Sequence, residues 1–338
     1  MNDLPGNPIE LDCVRRIMRR VGKFLLGSGI AIGSWLAVCA VIGKVATEGA
    51  LHPARARLVP AAWEIAGGIA AQDHADLTEA SIVAADGSVL RAWSLKPATW
   101  NGDSVMLFHG QSDNRAGMLG NAGLLLQHGF AVLLPDSRGH GESGGTIATY
   151  GALEADDIRR WYDWLRDTEH PRCIDGLGDS MGGAELLNSL SLEQGFCAVV
   201  AESSFATFRD AADVRLGEAF HTGPWLGRTL LRPAVEFGLL YARLKYGVDL
   251  AHASPLHAAA ESATPVLLIH GRADTNMPPW NSERIRQKDS HAELWEPVDA
   301  GHCGAMGAAP AEYERRVIGW FESYNAPPDP EEVVHRGI

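Results

Sequence analysis

The sequence predicts an α/β fold in which a mostly parallel central sheet of about eight strands has helices on both faces. Two observations carry this prediction. Short, continuously apolar runs recur along the 338-residue chain and are separated by segments of helical character, as is typical of strands that are buried on both faces. Polar, glycine-rich segments directly follow several of these runs, and such sheets bind their ligands at the carboxyl ends of the strands.

The predicted strands begin with a hairpin, 80–84 and 89–95, whose Asp86-Gly87 turn is a common hairpin connection. Six further apolar runs are predicted as strands, at 105–108, 130–134, 173–177, 198–201, 265–269 and 292–295. Helices are predicted between them, at about 115–128, 150–168 and 311–324.

The stretch 178–183 is the most informative motif, because it places Ser180 between an apolar run and a helical segment. A serine at the apex of such a strand–turn–helix is the G-x-S-x-G nucleophile elbow. Gly178 and Gly182 leave space where a Cβ would collide with the neighbouring strand or helix. The motif also occurs in ordinary glycine-rich turns, so further residues are needed to support a catalytic role.

Two further residues complete a candidate catalytic set. A serine nucleophile needs a base and an acid that orients the base. Asp274 follows the apolar run 265–269, and His302 lies in a loop of small residues before the last predicted helix. An aspartate in this position is often a turn former, and the chain has 13 histidines. The order Ser180, Asp274, His302, with each residue after a strand, nevertheless favours a catalytic triad.

Several motifs together carry a resemblance to a known family. They are His109-Gly110, the loop 136–143, Thr149-Tyr150-Gly151, the elbow 178–183, His270-Gly271 with Asp274, and Gly301-His302. Through them, residues 82–321 resemble the α/β-hydrolase superfamily, and more narrowly the membrane-anchored bacterial BEM46-type and serine-aminopeptidase-like hydrolases. The resemblance implies the α/β-hydrolase fold and Ser-His-Asp chemistry, but it does not specify the substrate.

The predicted function is therefore that of a carboxylesterase-like serine hydrolase. Ser180 would form an acyl-enzyme with a small-molecule acyl ester, and no cofactor is expected. An aminopeptidase or amidase and an acyltransferase remain alternatives that use the same triad. A catalytically silent binding protein is the alternative outside the enzymes.

Backbone N–H groups are expected to form the oxyanion hole. The N–H of Met181, directly after the nucleophile, is one expected donor. The resemblance favours Gln111 as the second donor, with Ser112 as the alternative. No metal site is predicted: three histidines stand beside glycines in strand-end loops, where hydrogen bonds to loop carbonyls are the favoured interpretation. They are His109, His140 and His270.

The N-terminal region predicts a membrane segment. Arg15, Arg16, Arg19, Arg20 and Lys23 precede a stretch from 24 to 43 without charged residues, and about 20 such residues span a bilayer. An uncleaved anchor is favoured over a cleaved signal peptide, a lipidated Cys39 and a buried core helix. The basic cluster predicts a cytoplasmic N-terminus and a catalytic domain on the other side, which in a bacterium is the periplasm.

The domain organisation follows from these elements. The predicted segments are a basic cytoplasmic N-terminus (1–23), an anchor or signal segment (24–45), a connector (46–76), a hydrolase domain (77–325) and a disordered tail (326–338). An insertion at about 204–263, after the sixth strand, is expected to form a helical cap that shapes the acyl pocket. Its apolar residues would mainly pack onto the sheet, although Trp225 and Leu226 have the alternative of dipping toward the membrane.

The net charge and the cysteine spacing argue against a nucleic-acid-binding protein and a zinc-binding protein. The net charge of −13 argues against a nucleic-acid partner. The five cysteines show no zinc-binding spacing. Cys173 and Cys197 are interpreted as buried thiols, while a disulfide between them and the oligomeric state remain open.

Overall fold

A computed structural model of the protein describes residues 8–325. The predicted disordered tail, 326–338, and the first seven residues of the basic N-terminus lie outside the described residues.

The sheet has eight strands. They are β1 (Ala75–Val83), β2 (Val89–Pro97), β3 (Asp103–Phe108), β4 (Ala131–Pro135), β5 (Cys173–Asp179), β6 (Val199–Glu202), β7 (Val266–Ile269) and β8 (Ala292–Trp295). Their spatial order is β1-β2-β4-β3-β5-β6-β7-β8. The pairs that involve β2 are antiparallel, and the pairs from β4 through β8 are parallel. The predicted fold class is confirmed.

Helices cover both faces of the sheet. They are α1 (Pro8–Leu51), α2 (Pro60–Gln72), α3 (Leu119–Gln127), α4 (Glu154–Glu169), α5 (Met181–Ser189), α6 (Phe208–Ala219), α7 (Trp225–Arg228), α8 (Arg232–Tyr246), α9 (Pro255–Ala260), α10 (Trp280–Lys288), α11 (Ala305–Ala308) and α12 (Pro310–Asn325). Successive side chains of a strand point to opposite faces of the sheet, so the core consists of two apolar clusters, one on each face. Val105 and Leu107 of β3 pack with α2, α3 and α12, whereas Met106 and Phe108 pack with α4, α5, α9 and α10.

Two helix starts differ from the prediction for local reasons. The segment predicted from 115 begins as a short 3₁₀ turn, with the Asn114 side chain accepting a hydrogen bond from the Ala116 N–H, before α3 begins. The helix predicted from Tyr150 begins at Glu154, because the Glu154 carboxylate accepts hydrogen bonds from the N–H groups of Thr149 and Gly151. These bonds hold the preceding residues in a turn.

The predicted connector has regular structure. Helix α1 continues through Leu51, and α2 follows before the sheet begins. The predicted domain boundary at Leu77 falls two residues inside β1, because Ala75 and Asp76 already pair with β2. Helix α1 is long and apolar enough to cross a membrane, with a mean hydropathy of 2.1 in its candidate span, Met18–Leu51.

The insertion between β6 and β7 contains α6 to α9, and it packs against α1. A third apolar cluster joins α6 and α8 with the C-terminal part of α1, including Cys39 and Leu51. The insertion therefore lies over the carboxyl ends of the strands beside the N-terminal helix.

The interpretation of Cys173 and Cys197 as free thiols is wrong. The two residues form a disulfide, with their Cα atoms 5.9 Å apart. Cys173 begins β5, and the N–H of Cys197 donates to the Ile174 carbonyl at the approach to β6. The pairing depends on the lateral order of the strands, which local sequence patterns do not reveal.

We expect this disulfide to stabilise the fold. Closing a chain segment with a separation of 24 residues restricts the unfolded state by about 3 kcal/mol. The Cys173→Ala/Cys197→Ala variant should therefore have a free energy of unfolding about 3 kcal/mol lower than the wild type in urea denaturation. Dithiothreitol should lower the wild type to the value of the variant and leave the variant unchanged. Equal stabilities in oxidising buffer would contradict the expectation.

Candidate active site

The backbone at Ser180 has the geometry of a nucleophile elbow. Strand β5 ends at Asp179 and α5 begins at Met181. Ser180 between them has φ 53° and ψ −110°, a conformation that is unusual for a residue with a Cβ. The Ser180 N–H donates to the Glu202 carbonyl at 2.7 Å, which fixes the turn to β6.

The two elbow glycines occupy places without room for a side chain. A Cβ at Gly178 would lie 2.6 Å from backbone atoms of Gly182, and a Cβ at Gly182 would lie 2.6 Å from the His109 carbonyl oxygen and also meet the Phe108 carbonyl. These contacts fall below the separation that real Cβ atoms show. The start of α5 therefore packs directly against the end of β3.

The structure brings the three predicted triad side chains together. His302 Nε2 lies 2.9 Å from Ser180 Oγ, and His302 Nδ1 lies 2.7 Å from Asp274 Oδ2. The His302 side chain is 21% exposed, whereas that of Asp274 is fully buried. The imidazole thus lies between the partly exposed Ser180 hydroxyl and a carboxylate that water cannot reach.

The surroundings of Asp274 favour its ionised form. Its Oδ1 accepts hydrogen bonds from the N–H groups of Asn276 and Met277, and His270 Nε2 lies 3.3 Å from Oδ2. Burial alone would raise the pKa of Asp274, but the hydrogen bonds from His270, His302 and Met277 outweigh burial and hold the pKa below its ordinary value.

The loop after β3 reaches the nucleophile. A Cβ at Gly110 would lie 3.8 Å from the Cβ of Ser180. Gln111 lines the same cavity as Ser180 and Met181, whereas Ser112, which has φ 62°, does not line it. Of the two candidates for the second oxyanion donor, the cavity therefore favours Gln111.

The other three histidines make hydrogen bonds within their loops. His109 accepts from the Ser137 N–H through Nε2, and its Nδ1 lies 2.8 Å from the Gly110 carbonyl oxygen. His140 Nδ1 lies 3.0 Å from the Arg138 carbonyl oxygen. His270 contacts the Ser282 hydroxyl, the Met277 carbonyl and, as described, Asp274. No group of three or more potential metal ligands occurs within residues 8–325.

Two acids beside the site, the buried Glu202 and the half-buried Asp179, had no role predicted from sequence. Asp179 and Glu202 are paired in register at the ends of β5 and β6. Glu202 Oε1 accepts a hydrogen bond from the Ala305 N–H at 2.9 Å. Burial raises the pKa of Glu202 to about 7 and raises the pKa of Asp179 well above its ordinary value. Both residues stand at the carboxyl ends of predicted parallel strands, and this position could have identified them from the sequence.

A cavity of about 360 Å³ opens beside Ser180, within the size range of small-molecule sites. Its walls come from three sources: the loops around the triad, the insertion helices α6 and α8, and helix α1. Most lining side chains are apolar. Arg215 is the only charged residue, and no acidic residue occurs, among the described residues that line it. The sequence predicted a pocket shaped by the insertion, and the contribution of α1 was not predicted.

Comparison with known proteins identifies a family and several bacterial relatives. A model described as "Alpha/beta hydrolase family" matches residues 105–316, more than half of the chain. The uncharacterized protein YqkD of Bacillus subtilis (strain 168) is 30% identical over 189 residues, which cover 55% of this chain and 60% of that protein. The uncharacterized protein YfhR of Escherichia coli (strain K12) is 27% identical over 210 residues, which cover 60% and 64%. The chain thus matches less than two thirds of the length of these relatives.

Solved structures share the fold. The esterase Pf2001 of Pyrococcus furiosus has a TM-score of 0.62 and 24% identity, and the match covers 81% of this chain and 100% of that chain. The acetyl xylan esterase of Paenibacillus sp. R4 has a TM-score of 0.55 and 18% identity, with coverages of 81% and 97%. At these sequence identities, the similarity shows that the fold is shared and is no evidence of a shared substrate.

Adding a methyl group at the elbow should destabilise the protein. Gly182→Ala forces a Cβ against the Phe108 and His109 carbonyls, and we expect the free energy of unfolding to fall by roughly 2–3 kcal/mol. Gly319→Ala in α12 is the matched control, because nothing lies within 4 Å of its added Cβ. It should raise stability by up to about 1 kcal/mol. Urea denaturation measures both, and equal effects would contradict the steric explanation.

Glu202 should make stability depend on pH. Its pKa is raised from 4.5 to about 7 in the folded protein, so its contribution is fully present below about pH 4.5 and is lost as the pH rises through 7. Between pH 5 and 8, the free energy of unfolding of the wild type should fall relative to that of Glu202→Gln, by up to about 3 kcal/mol. Glu293→Gln, at an exposed position of β8, is the control, and its free energy of unfolding should show the same pH dependence as that of the wild type. Parallel urea-denaturation profiles for wild type and Glu202→Gln would refute the assignment.

Proposed function

The chain belongs to the alpha/beta hydrolase family, and from this premise we propose that it is a membrane-anchored serine esterase. The observation that carries the proposal is the continuous hydrogen-bonded series from Ser180 through His302 to Asp274. A hydroxyl, an imidazole and a buried carboxylate in this order provide a nucleophile, a general base and a group that orients the base.

The proposed reaction has two steps. Ser180 Oγ attacks the ester carbonyl while His302 Nε2 takes its proton, and the same proton is then given to the departing alcohol. Water attacks the resulting acyl-enzyme, transferring a proton to His302 and then to Ser180 as the carboxylic acid leaves. Asp274 holds the Nδ1–H tautomer and stabilises the imidazolium that forms in each step.

The developing negative charge needs donors that are already in position. The N–H of Met181, at the start of α5, and the N–H of Gln111, after Gly110, are the proposed donors. One such donor contributes roughly 3 kcal/mol of transition-state stabilisation. The positive end of the α5 dipole acts in the same direction.

The lining of the cavity favours an acyl ester over an aminopeptidase substrate. An aminopeptidase must bind a free α-ammonium group, for which a carboxylate is the usual partner. No acidic residue is found among the described residues of the wall, and its charged member is Arg215. An apolar cavity with a cationic edge instead suits an acyl chain.

The proposed location is the extracytoplasmic side of a membrane. Residues 24–43 would span the bilayer, and the basic cluster before them would stay in the cytoplasm. The disulfide between Cys173 and Cys197 is of the kind that persists in oxidising compartments. The Cys39 side chain is fully buried against the domain, which favours an uncleaved anchor over a lipoprotein.

Replacing the nucleophile tests the proposal. Ser180→Ala should lower kcat/KM for p-nitrophenyl butyrate by at least about 10⁴-fold, because the covalent route is lost. Ser88→Ala, in the β1–β2 turn, is the matched control and should retain wild-type activity. Circular dichroism should show the same fold in both variants.

Labelling identifies the acylated residue and separates the alternatives. A fluorophosphonate probe should modify Ser180, as located by mass spectrometry, and failure to react would favour a silent binding protein. Faster release of aminoacyl-arylamides than of aryl esters would select an aminopeptidase. Acyl transfer to an added alcohol that outcompetes water would select an acyltransferase.

A further inference from the structure

The cavity beside Ser180 has a wall that comes from outside the sheet and its insertion. Gly43, Ala46, Thr47 and Ala50 of helix α1 line it. Their spacing places them on one face of the helix. The Tyr150 hydroxyl, which belongs to the same cavity, donates to the Ala50 carbonyl at 2.6 Å. Helix α1 therefore faces the space in which the acyl group of a substrate would lie.

This wall is held by close packing between α1 and α8. A Cβ at Gly43 would collide with the Ala234 carbonyl oxygen, and a Cβ at Gly238 would lie 2.5 Å from Thr47 Oγ1. Small residues that let two backbones approach closely are typical of tight helix pairs in membranes. The C-terminal part of α1 therefore packs directly against the backbone of α8.

The two helices run in the same direction. Gly43 contacts Ala234 near the start of α8, whereas Glu48, further along α1, accepts a hydrogen bond from Lys245 near the end of α8 at 2.6 Å. Tyr246 donates to the same carboxylate. The start of α8 therefore points toward the N-terminal, membrane-directed part of α1.

The length of the apolar segment places this edge of the domain within the membrane. Residues 24–43 contain no charged residue, and a span needs about 20 residues. However, α1 is already packed against the third apolar cluster from Trp35 onward, and Cys39 and Gly43 are buried. Over the last nine residues of the span, about 13 Å of helix axis, one side of α1 therefore packs against the domain, while Val38 and Val41 on the other side stay exposed.

Exposed apolar side chains lie among charged residues in the segment that leads into α8, where Arg215, Glu218 and Arg228 are also exposed. Phe220 at the end of α6, Trp225 in α7 and Leu230 just before α8 have exposed fractions of 48%, 59% and 56%. Exposed large apolar residues are typical of membrane or protein contacts, and Leu230 lies just before the start of α8, the end of that helix that packs beside Gly43 of α1. Ala219 at the end of α6, Ala234 near the start of α8 and Gly43 of α1 also line the cavity.

We propose that the substrates are long-chain acyl esters of the bilayer, whose acyl chains enter the cavity from the membrane along helix α1. The inference rests on the proposed esterase function, and it names the substrate class. Its products are a fatty acid and the alcohol of the lipid, formed with one water by the chemistry described above. Helix α1 acts both as anchor and as the wall that selects the acyl chain.

The test uses full-length protein in phosphatidylcholine vesicles with 4-methylumbelliferyl oleate and 4-methylumbelliferyl acetate. Ala46→Trp fills the cavity beside α1 and should lower the oleate-to-acetate ratio of kcat/KM at least tenfold. Ala46→Leu should lower the ratio by less. Ala37→Trp carries the same change at an exposed position of α1 outside the cavity, and should leave the ratio within twofold of wild type.

The outcomes separate this inference from the esterase proposal. Fluorophosphonate labelling of Ser180 in each variant shows that the active site is folded. An unchanged ratio in both Ala46 variants, or an equal fall in Ala37→Trp, would overturn the role of α1 while leaving the esterase intact. Acetate turnover that does not depend on Ser180 would instead overturn the esterase function, and this inference with it.

A second measurement tests the route of entry. The oleate ester is placed either in the vesicles that contain the protein or in separate vesicles, and its transfer between protein-free vesicles is timed in parallel. Initial hydrolysis should be at least tenfold faster when ester and protein share a bilayer. Equal initial rates, with transfer slower than hydrolysis, would overturn entry from the membrane.

Discussion

The candidate active site depends on the direct backbone contact between the end of β3 and the start of α5. Gly182 lies against the Phe108 and His109 carbonyls with no space for a side chain. This contact sets the strained turn at Ser180 and at the same time brings the loop with Gly110 and Gln111 beside the serine. A nucleophile and its two proposed oxyanion donors are therefore positioned by one steric constraint, and His302 and Asp274 are added from the ends of later strands.

The features that sequence could predict are those with local signals. Continuous apolar runs identified the strands, and Gly178, Ser180 and Gly182 identified the elbow because the turn itself imposes the glycines. Asp274 and His302 were found because the carboxyl ends of parallel strands converge. The Cys173–Cys197 bond stayed open and the pairing of Asp179 with Glu202 was missed, since both depend on which strands are lateral neighbours.

The role of helix α1 was missed for a different reason. Its apolar composition and length favoured a membrane anchor, but composition alone does not show what a helix packs against. The contact of Gly43 with Ala234 and the hydrogen bonds of Glu48 show that the C-terminal part of α1 is built into the insertion. The segment that was predicted as a separate anchor and connector thus contributes residues to the wall of the cavity beside Ser180.

The position of the disulfide has a consequence for regulation in the cell. Cys173 begins β5 and Ser180 follows its other end, so the bond and the nucleophile lie at opposite ends of one strand. Loss of the bond removes a restraint on the unfolded chain and leaves the triad hydrogen bonds untouched. A change in the redox state of the compartment would thus alter how many molecules survive proteolysis, while the proposed esterase activity of each surviving molecule would stay the same.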